Sequence, residues 1–390
     1  MKILFLTYHG FEEASGISKK MLAQIKGLRQ NGHEVHVCCY DRDSRGYMCR
    51  FVDDQIIRNY GKGLWAAIIQ RIDYNCLYDY CIQQSIELIY VRSYMNATPP
   101  LVFLFRKLRK AGVRSVMEIP TYPYDKEFKG YDWSQRLRLR FDQLFRHQLS
   151  AEMEAIVTFS EEEKIFGQRT IRISNGVDFD TITLLVTHPN HDQEVHLIAV
   201  AEVHPWHGFD RLIHGLGEYY KKYGGNPSRL VFFHLVGDVW PSEMQGSNNA
   251  PGFTKYLKEY GIEKYVIFHG KLFGKELDKV FNQCQFAIGS LARHRSGITN
   301  IKTLKNREYA TRGIPFMYSE QDTDFDNKPY VLKVSADESP IDIDKLISFI
   351  DAFSISPINI RNSVKHLSWK NQMQYVIDAI SMNNTAMSYV

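Results

Sequence analysis

The stretch Arg293–Pro315, RHRSGITNIKTLKNREYATRGIP, is the most informative part of the chain. Its pattern predicts a helix that follows a polar turn and stops at Gly313-Ile314-Pro315. We place the free first-turn N–H groups near Asn300–Lys302, where they would attract an anion. Lys305 adds positive charge, and Glu308 on the same face can accept from a diol. The pattern favours a nucleoside diphosphate site; a surface helix with a Lys–Glu ion pair is the alternative.

The composition is that of a globular protein with more than one core. The chain has 390 residues, 44% hydrophobic and 24% charged, which predicts two domains and argues against disorder. Its six cysteines have no CxxC spacing. We interpret them as buried apolar residues in a reducing compartment.

The sequence contains no candidate secretory or membrane-spanning segment. Only four consecutive apolar residues follow Lys2, against the roughly 7–15 of a secretory signal. No stretch reaches the roughly 18 apolar residues of a membrane span. We therefore expect a cytoplasmic protein.

Positive charge is concentrated in the first half. Arg92–Arg146 carries 12 basic and 5 acidic residues, a local excess of +7, while the whole chain has a net charge of +4. Such a segment suits a phosphate-bearing partner or peripheral contact with the inner face of an anionic membrane. Leu101–Phe105 with the basic residues after it resembles a membrane-surface anchor, but the strand order favours an internal helix.

Strand and helix patterns alternate along both halves. Strands are predicted at 2–8, 34–40, 88–92, 115–119, 155–159, 170–174, 195–201, 230–236, 265–270, 285–291 and 314–318. Helices are predicted at 17–29, 100–110 and 134–149, after residues 208 and 276, and at Asn362–Met382. This alternation predicts two α/β domains, each a doubly wound parallel sheet of Rossmann-like type.

The predicted domains are residues 1–180 and 193–361, joined by a linker at 181–192. We expect the last segment, 362–390, to pack as a helix back toward the first domain. Parallel sheets bind ligands outside the carboxyl ends of their strands. If the two sets of ends face each other, the ligand lies in the cleft between the domains.

Four segments, in this order, resemble the retaining family 4 glycosyltransferases of the GT-B fold. They are the loop Ala14–Ser18 after the first strand, SNGVDFD at Ser174–Asp180, AVAEVHPWHGFDRLI at Ala199–Ile213, and Ser290–Pro315. The resemblance implies a metal-independent enzyme that moves a sugar from a nucleotide-diphosphate sugar to a glycan or lipid-linked glycan. UDP is the expected nucleotide because it is frequent in the family. Capsule or O-antigen assembly is the expected setting.

The resemblance also implies roles for individual residues. Lys305, Glu308 and Arg293 are the expected catalytic residues, with Glu308 also holding the ribose. The expected donor-binding set is Gly16, Ile17, His207, Gly208, Arg295, Ser296, Gly297, Ile298, Asn300 and Glu308. The expected acceptor-binding set is Glu118, Thr121, Tyr122 and Asp125; for Glu118 and Asp125 a structural loop with an ion pair is the alternative. We expect no metal or other cofactor and no nucleic-acid partner.

Three positions depart from the family pattern. Glu202 and His207 stand where the family often has an arginine and a lysine. Asn300 stands where the first of two glutamates is usual, or Arg295 or Ser296 does if the alignment has a short insertion. The segment Glu118–Asp125 has no histidine where many members have one. These departures keep two other functions open, a nucleotide-sugar 2-epimerase of the same fold and a non-catalytic nucleotide- or glycan-binding relative.

Overall fold

The computed structural model describes residues 1–12, 15–93, 96–125, 133–187, 189, 193–247 and 250–387. Ala14 of the glycine loop and residues 188 and 190–192 of the predicted linker lie outside the described residues. The chain forms two compact units. Unit 1 comprises Met1–Gly176 and Trp369–Val390, and unit 2 comprises Val177–Ser368.

The described residues form seventeen strands and thirteen helices. The strands are β1 Lys2–Leu6, β2 Glu34–Arg42, β3 Met48–Val52, β4 Gln55–Gly61, β5 Leu88–Arg92, β6 Arg114–Ile119, β7 Ala155–Thr158, β8 Lys164–Ile165, β9 Gln168–Arg172, β10 Glu194–Val200, β11 Leu230–Val236, β12 Gly246–Ser247, β13 Ala250–Pro251, β14 Val266–Gly270, β15 Phe286–Ile288, β16 Phe316–Tyr318 and β17 Val331–Lys333. The helices are α1 Gly16–Gln30, α2 Gly63–Ile72, α3 Asn75–Gln83, α4 Pro99–Lys110, α5 Trp133–Ala151, α6 Phe209–Lys222, α7 Pro241–Gln245, α8 Phe253–Tyr260, α9 Gly274–Phe281, α10 Leu304–Arg312, α11 Ile343–Ala352, α12 Pro357–Ser363 and α13 Trp369–Met387.

Unit 1 is built on a nine-stranded sheet of order β4-β3-β2-β1-β5-β6-β7-β9-β8. The central strands from β2 to β9 are parallel, and the β3–β4 hairpin and β8 add antiparallel edges. One face is covered by α1 and α13, whose apolar residues share a core with β1 and β5. These helices approach closely at Gly27, where a Cβ would lie 2.7 Å from the Trp369 carbonyl oxygen.

Unit 2 is built on a six-stranded, wholly parallel sheet of order β14-β11-β10-β15-β16-β17. Val195, Leu197, Phe233 and Ile288 are fully buried in it, as expected for strands covered on both faces. The loops that follow β10, β15 and β16 leave the same edge of the sheet, and in such sheets ligands bind at that edge.

The structure confirms the eleven predicted strands and the two parallel sheets, with small shifts of their ends. It also corrects two helix boundaries. Asn362–Met382 is not one helix, because α12 ends at Ser363 and α13 begins at Trp369. Between them the Leu367 carbonyl accepts from the Val177 N–H at 2.8 Å, which holds this segment out of the helical path.

The second correction concerns the helix of the Arg293–Pro315 stretch. Helix α10 begins at Leu304, so Asn300–Lys302 do not form its first turn. Instead Asn300 bridges to Gln321, and the Ile301 N–H donates to the Gln321 carbonyl at 3.0 Å. The first-turn N–H groups therefore lie at Leu304 and the residues after it.

Two further segments differ in detail from the sequence patterns. Residues 181–187, within the predicted linker, belong to unit 2, where Leu185 is buried and its N–H donates to the Arg312 carbonyl at 2.9 Å. Helix α4 buries Leu101, Leu104 and Phe105, as the internal-helix interpretation requires.

No helix in the described part of the chain is both long enough and apolar enough to cross a membrane.

Candidate functional site

Two 3-10 turns of unit 2 pack together at the carboxyl edge of its sheet. Pro205–His207 follows β10, and Arg293–Ser296 follows β15. The Leu291 N–H donates to the His207 carbonyl at 2.8 Å. Gly208 adopts φ +63, and a Cβ there would lie 2.7 Å from the Ala292 Cβ. Only glycine fits this contact without a shift, because both the conformation and the space exclude a side chain.

His207 is buried and is held as a neutral imidazole. Its Nδ1 accepts from the His204 backbone N–H at 3.0 Å, so the proton of the neutral ring is on Nε2. Burial holds the pKa of His207 far below its ordinary value, and the positive charges of Lys305 and Arg293 lower it further. The ring can therefore donate one hydrogen bond from Nε2 but carries no charge.

Lys305 lies in the first turn of α10 with its ammonium group buried. Nζ is 5.8 Å from the centroid of the Phe209 ring and makes no hydrogen bond within the described part of the chain. Burial lowers the pKa of Lys305; Glu320 opposes this effect and Arg293 adds to it. A buried ammonium group without a hydrogen-bond acceptor is costly and normally has a partner.

Glu320 is the buried carboxyl group that faces these cations. Its Oε1 is 3.4 Å from Asn306 Nδ2, and its Oε2 has no hydrogen-bond partner among the described residues. Burial raises the pKa of Glu320, while Lys305 and Arg293 lower it. We call His207, Arg293, Lys305 and Glu320 the cationic cluster. It places two cations and one neutral donor against a single carboxyl group, so it can accept an anion.

The amino end of α10 contributes further donors to the cationic cluster. Thr303 is its N-cap residue but makes no side-chain capping bond, and its buried Oγ1 has no partner among the residues described. The first-turn N–H groups, including that of Lys305 itself, thus remain uncapped. With the helix dipole they favour negative charge at the position that Lys305 also favours.

Arg295 and Ser296 are engaged in holding the two turns. Arg295 forms a two-pronged ion pair with Asp210 at 2.8 and 2.9 Å, pairs with Glu338, and donates to the Pro205 carbonyl at 2.9 Å. Ser296 Oγ donates to the Arg293 carbonyl at 2.8 Å. Both side chains therefore help to hold the two turns in place. Direct contact of Arg295 or Ser296 with a nucleotide-sugar donor stays a prediction.

The other predicted residues of unit 2 surround α10. Glu308 is fixed through Oε1 by Arg312 Nε at 2.9 Å, and Arg312 also pairs with Asp278. Gly297 adopts the left-handed φ of +69 at the end of its turn. Ile298 is half-buried and Asn300 is exposed.

Gly16 and Ile17 belong to unit 1, at the start of α1. Ser15 caps this helix, its Oγ accepting from the Ser18 N–H at 3.4 Å. A Cβ at Gly16 would have no described heavy atom within 4 Å, and Ile17 is half exposed. The start of α1 is therefore uncrowded within the described part of the chain, and its contact with a donor stays a prediction.

The structure corrects the expectation for Glu118. Its carboxylate is completely buried at the end of β6 and accepts from Gln24 at 2.6 Å, Tyr90 at 2.5 Å and Arg92 at 2.5 Å. Burial alone would raise its pKa, but Lys20 and Arg92 hold the pKa below its ordinary value. Glu118 is thus an interior charge satisfied by protein groups, with no surface left for an acceptor.

The remaining predicted acceptor residues lie in the segment after β6. Asp125 forms a two-pronged ion pair with Arg146 at 2.8 and 3.2 Å, which is the structural alternative that the sequence left open. Tyr122 is partly buried, its ring 5.7 Å from that of Phe166, and Thr121 is partly exposed. Their role as acceptor contacts stays a prediction.

Unit 1 contains a cavity that the sequence did not indicate. Its volume is about 130 Å³, and it has an aromatic wall, two arginines and several small polar groups. Its lining includes Tyr8, Tyr40, Tyr74, Thr98, Arg71 and Arg138. They come from five separate segments, and α2, which carries Arg71, was not among the predicted helices. No sequence motif could have joined them.

Comparison with known structures shows the fold of this chain. The catalytic domain of starch synthase IV from Arabidopsis thaliana, bound to ADP and acarbose, matches with a TM-score of 0.58 at 11% identity, over 98% of each chain. Sucrose-phosphate synthase from Thermosynechococcus elongatus matches with a TM-score of 0.53 at 13% identity, over 100% of this chain and 98% of that one. No family model and no curated protein sequence matches the chain.

A third structure comes from a different class of enzyme. A protein described as a UDP-N-acetylglucosamine 2-epimerase, from Listeria monocytogenes, matches with a TM-score of 0.53 at 9% identity, over 99% of this chain and 97% of that one. At these identities the likeness is one of fold alone. The fold is the predicted one, two parallel-sheet α/β domains of the GT-B type.

Within the described ranges, no group of three or more histidine, cysteine, aspartate or glutamate side chains is arranged to hold a metal ion. The carboxylates of Asp322 and Asp324 both bind Arg307, whose guanidinium donates to Asp322 at 2.7 and 3.1 Å.

Proposed function

We propose that this protein is a retaining glycosyltransferase that uses a nucleotide-diphosphate sugar, with UDP as the expected nucleotide. The observation that carries the proposal is the buried Lys305 ammonium group, which has no hydrogen-bond acceptor in the described structure. It lies where a doubly wound sheet binds ligands, beside an uncapped helix start. A diphosphate would satisfy all of these donors at once.

The proposed chemistry is stabilisation of charge on the leaving diphosphate. As the bond from sugar to phosphate breaks, negative charge grows on the phosphate oxygens while an oxocarbenium-like charge develops on the sugar. Lys305, the Nε2 proton of His207 and the first-turn N–H groups of α10 would donate to those oxygens. Such preorganised donors act strongly because they are buried. The departing phosphate can take the proton of the incoming hydroxyl, which agrees with transfer on the same face.

Glu308 is proposed to hold the ribose of the nucleotide. Arg312 fixes one carboxylate oxygen, and no residue described here bonds the other. A fixed carboxylate with a free oxygen can accept from a vicinal diol. Arg293, whose Cζ is 5.5 Å from the Trp206 ring centroid, would add charge to the diphosphate side of the cluster.

The acceptor is proposed to be a glycan or a lipid-pyrophosphate-linked glycan in surface polysaccharide synthesis, without a metal. The basic segment of unit 1 motivates this choice, although carboxylates pair many of its members: Arg92, Arg106, Arg109, Arg114 and Arg146. The basic segment also carries Lys107 and Lys110 on α4 and Arg138 on α5. It supports peripheral contact of a cytoplasmic enzyme with an anionic membrane.

A panel of nucleotide sugars tests the function without knowledge of the acceptor. UDP-, ADP-, GDP- and dTDP-linked sugars are incubated with the protein, and nucleotide release is followed by chromatography while the sugar anomer is followed by NMR. We expect slow hydrolysis with retention for one nucleotide class. Rapid release of an epimerised sugar would instead establish 2-epimerase activity, the alternative suggested by the similarity to the Listeria structure. Failure of every nucleotide to bind in calorimetry would refute both.

A further inference from the structure

The cavity of unit 1 has a strongly basic wall. Arg71 of α2 and Arg138 of α5 both line it, and neither forms an ion pair with a described residue. Burial lowers the pKa of Arg71, and the nearby charge of Arg138 lowers it further, so the two guanidinium groups repel each other. Arginine cannot shed its proton to relieve this repulsion.

The carboxylate of Asp142, which follows the lining residue Phe141, is already occupied. Its Oδ1 accepts from the Ala97 N–H at 3.1 Å and its Oδ2 from Tyr124 at 2.6 Å. A third guanidinium, Arg50, lies near the aromatic wall, 4.4 Å from the Tyr40 ring centroid and 5.0 Å from that of Tyr74. Arg50 therefore adds a third positive charge close to the cavity.

Two hydroxyl groups also lie in the walls. Thr98 Oγ1 is buried and makes no hydrogen bond with any residue the structure describes, while the buried Tyr8 hydroxyl interacts with the Asn96 side chain. Buried hydroxyls are normally satisfied, so the state of Thr98 points to a polar ligand. A volume of about 130 Å³ corresponds to roughly four water molecules at ~30 Å³ each, which is enough for a phosphate group.

Apolar stripes lie on the outer surfaces of the two helices that supply the arginines. On α2, Leu64, Ile68 and Ile72 are exposed at helical spacing, with Leu64 85% exposed. On α5 the exposed stripe is Trp133, Leu137, Phe141 and Leu144, and its member Phe141 also lines the cavity. Continuous apolar exposure of this kind marks a binding surface.

We propose that this cavity binds the phosphate or pyrophosphate group of an acceptor, and that the α2 and α5 stripes receive an apolar chain attached to that group. The acceptor role rests on the proposed function; the binding site does not. Arg71 and Arg138 bind the phosphate oxygens, and Tyr8 and Thr98 donate to them. The apolar chain would contact the exposed stripes, whereas a soluble sugar phosphate has no apolar part that could contact them.

Calorimetric titration with three probes tests the site. Farnesyl pyrophosphate, inorganic pyrophosphate and farnesol are titrated into the full chain in excess UDP, which keeps pyrophosphate away from the cationic cluster. We expect farnesyl pyrophosphate to bind at least tenfold more tightly than either other probe. Equal affinity for inorganic and farnesyl pyrophosphate would overturn the chain-binding part and leave a soluble phosphate as the ligand.

Variants then locate the binding. Arg71→Ala with Arg138→Ala should weaken farnesyl pyrophosphate at least tenfold, while the matched pair Arg136→Ala with Arg140→Ala, on the exposed side of α5, should change it less than threefold. Tyr8→Phe removes one hydroxyl only and should weaken binding severalfold in a folded protein. If the first pair and Tyr8→Phe both bind like the unmodified protein, the cavity is not the site.

The two proposals fail separately. If farnesyl pyrophosphate binds in a manner that depends on Arg71 and Arg138 but no nucleotide sugar is hydrolysed, the transferase proposal is refuted and the binding site is supported. If nucleotide sugars are hydrolysed without such binding, the binding site is refuted and the transferase proposal is supported.

Discussion

The cationic cluster of unit 2 and the cavity of unit 1 both concentrate cationic side chains, but the charges differ in kind. The cluster depends on Lys305, whose pKa burial lowers, and it faces Glu320, whose pKa burial raises. The cavity depends on Arg71 and Arg138, which stay charged. The cluster can therefore adjust its protons when an anion enters or leaves, while the cavity remains positive throughout.

This difference suits the two ligands that we propose. A leaving diphosphate changes its charge during the reaction, and a lysine beside a protonatable carboxyl group can follow that change. An acceptor phosphate takes no part in the chemistry and needs only to be held, for which the fixed geometry of arginine is suited. Three predictions test the comparison, from the largest effect to the smallest.

Substitution of Lys305 should have the largest effect. Lys305→Met keeps most of the volume and removes the charge, so nucleotide-sugar turnover should fall by about 10²–10³, as for the loss of one preorganised donor. Its melting temperature should change little, because an ammonium group without a hydrogen-bond partner is removed and Glu320, whose pKa burial raises, can take up a proton when that cation is lost.

The control for Lys305→Met is Lys279→Ala, which removes a charge from the surface of α9 in the same unit. Turnover by this variant should stay within twofold of normal. Normal turnover in Lys305→Met would show that the cluster is not the diphosphate site, and would leave the cavity as the stronger candidate for an anion.

Gly208→Ala should disrupt the cluster and spare the cavity. The new Cβ needs a left-handed conformation and meets Ala292, so we expect a loss of roughly 2–3 kcal/mol in the free energy of unfolding. Urea denaturation measures it. Gly297→Ala is matched, since φ is +69 but no atom lies within 4 Å, and it should cost only about 1 kcal/mol.

Gly208→Ala also tests whether the two sites bind their ligands independently. Gly208→Ala should weaken UDP binding and leave farnesyl pyrophosphate binding unchanged, because Gly208 and the cavity belong to different units. A loss of both would mean that the sites are not independent.

The smallest expected effect is a difference in proton uptake when each of the two sites binds its ligand. A bound diphosphate raises the lowered pKa of Lys305 and further raises that of Glu320, so both changes take up protons. UDP binding should therefore take up a fraction of a proton near neutral pH, and its affinity should fall as the pH rises above the pKa of free Lys305. Calorimetry in buffers of different ionisation enthalpy measures the uptake.

The matching titration uses farnesyl pyrophosphate. Arg71 and Arg138 stay charged, so the cavity should take up no proton beyond those that the ligand itself exchanges. If UDP binding takes up as many protons in Lys305→Met as in the unmodified protein, the proton is taken up by a group other than Lys305.

Much of the fold could be predicted because its signals are local. Runs such as Ile3–Leu6 and Val231–Phe233 are apolar, and Gly313 ends α10 in the left-handed conformation that its sequence predicts. The β3–β4 hairpin and the exposed helix α2 were missed, because neither shows the regular burial pattern that identifies a buried strand or a half-buried helix.

The candidate sites were also predictable only as far as their residues lie close together in the sequence. Lys305 and Glu308 lie on one short helix, so their spacing alone groups them. Glu118 looked available in the sequence, but strand β5 and helix α1 bring Tyr90, Arg92, Lys20 and Gln24 to it. The cavity draws on five segments and had no local signature.

The sequence by itself determined the two doubly wound sheets and the motif that carries Lys305, because hydrophobic period and turn residues act between near neighbours in the chain. Only the tertiary structure decided which charges are satisfied. Of the 48 lysines and arginines, Arg295 is tied to two carboxylates, while Lys305, Arg71 and Arg138 have none within hydrogen-bond distance among the described residues. Whether a charge finds a partner depends on residues far away in sequence, and on the water that packing removes.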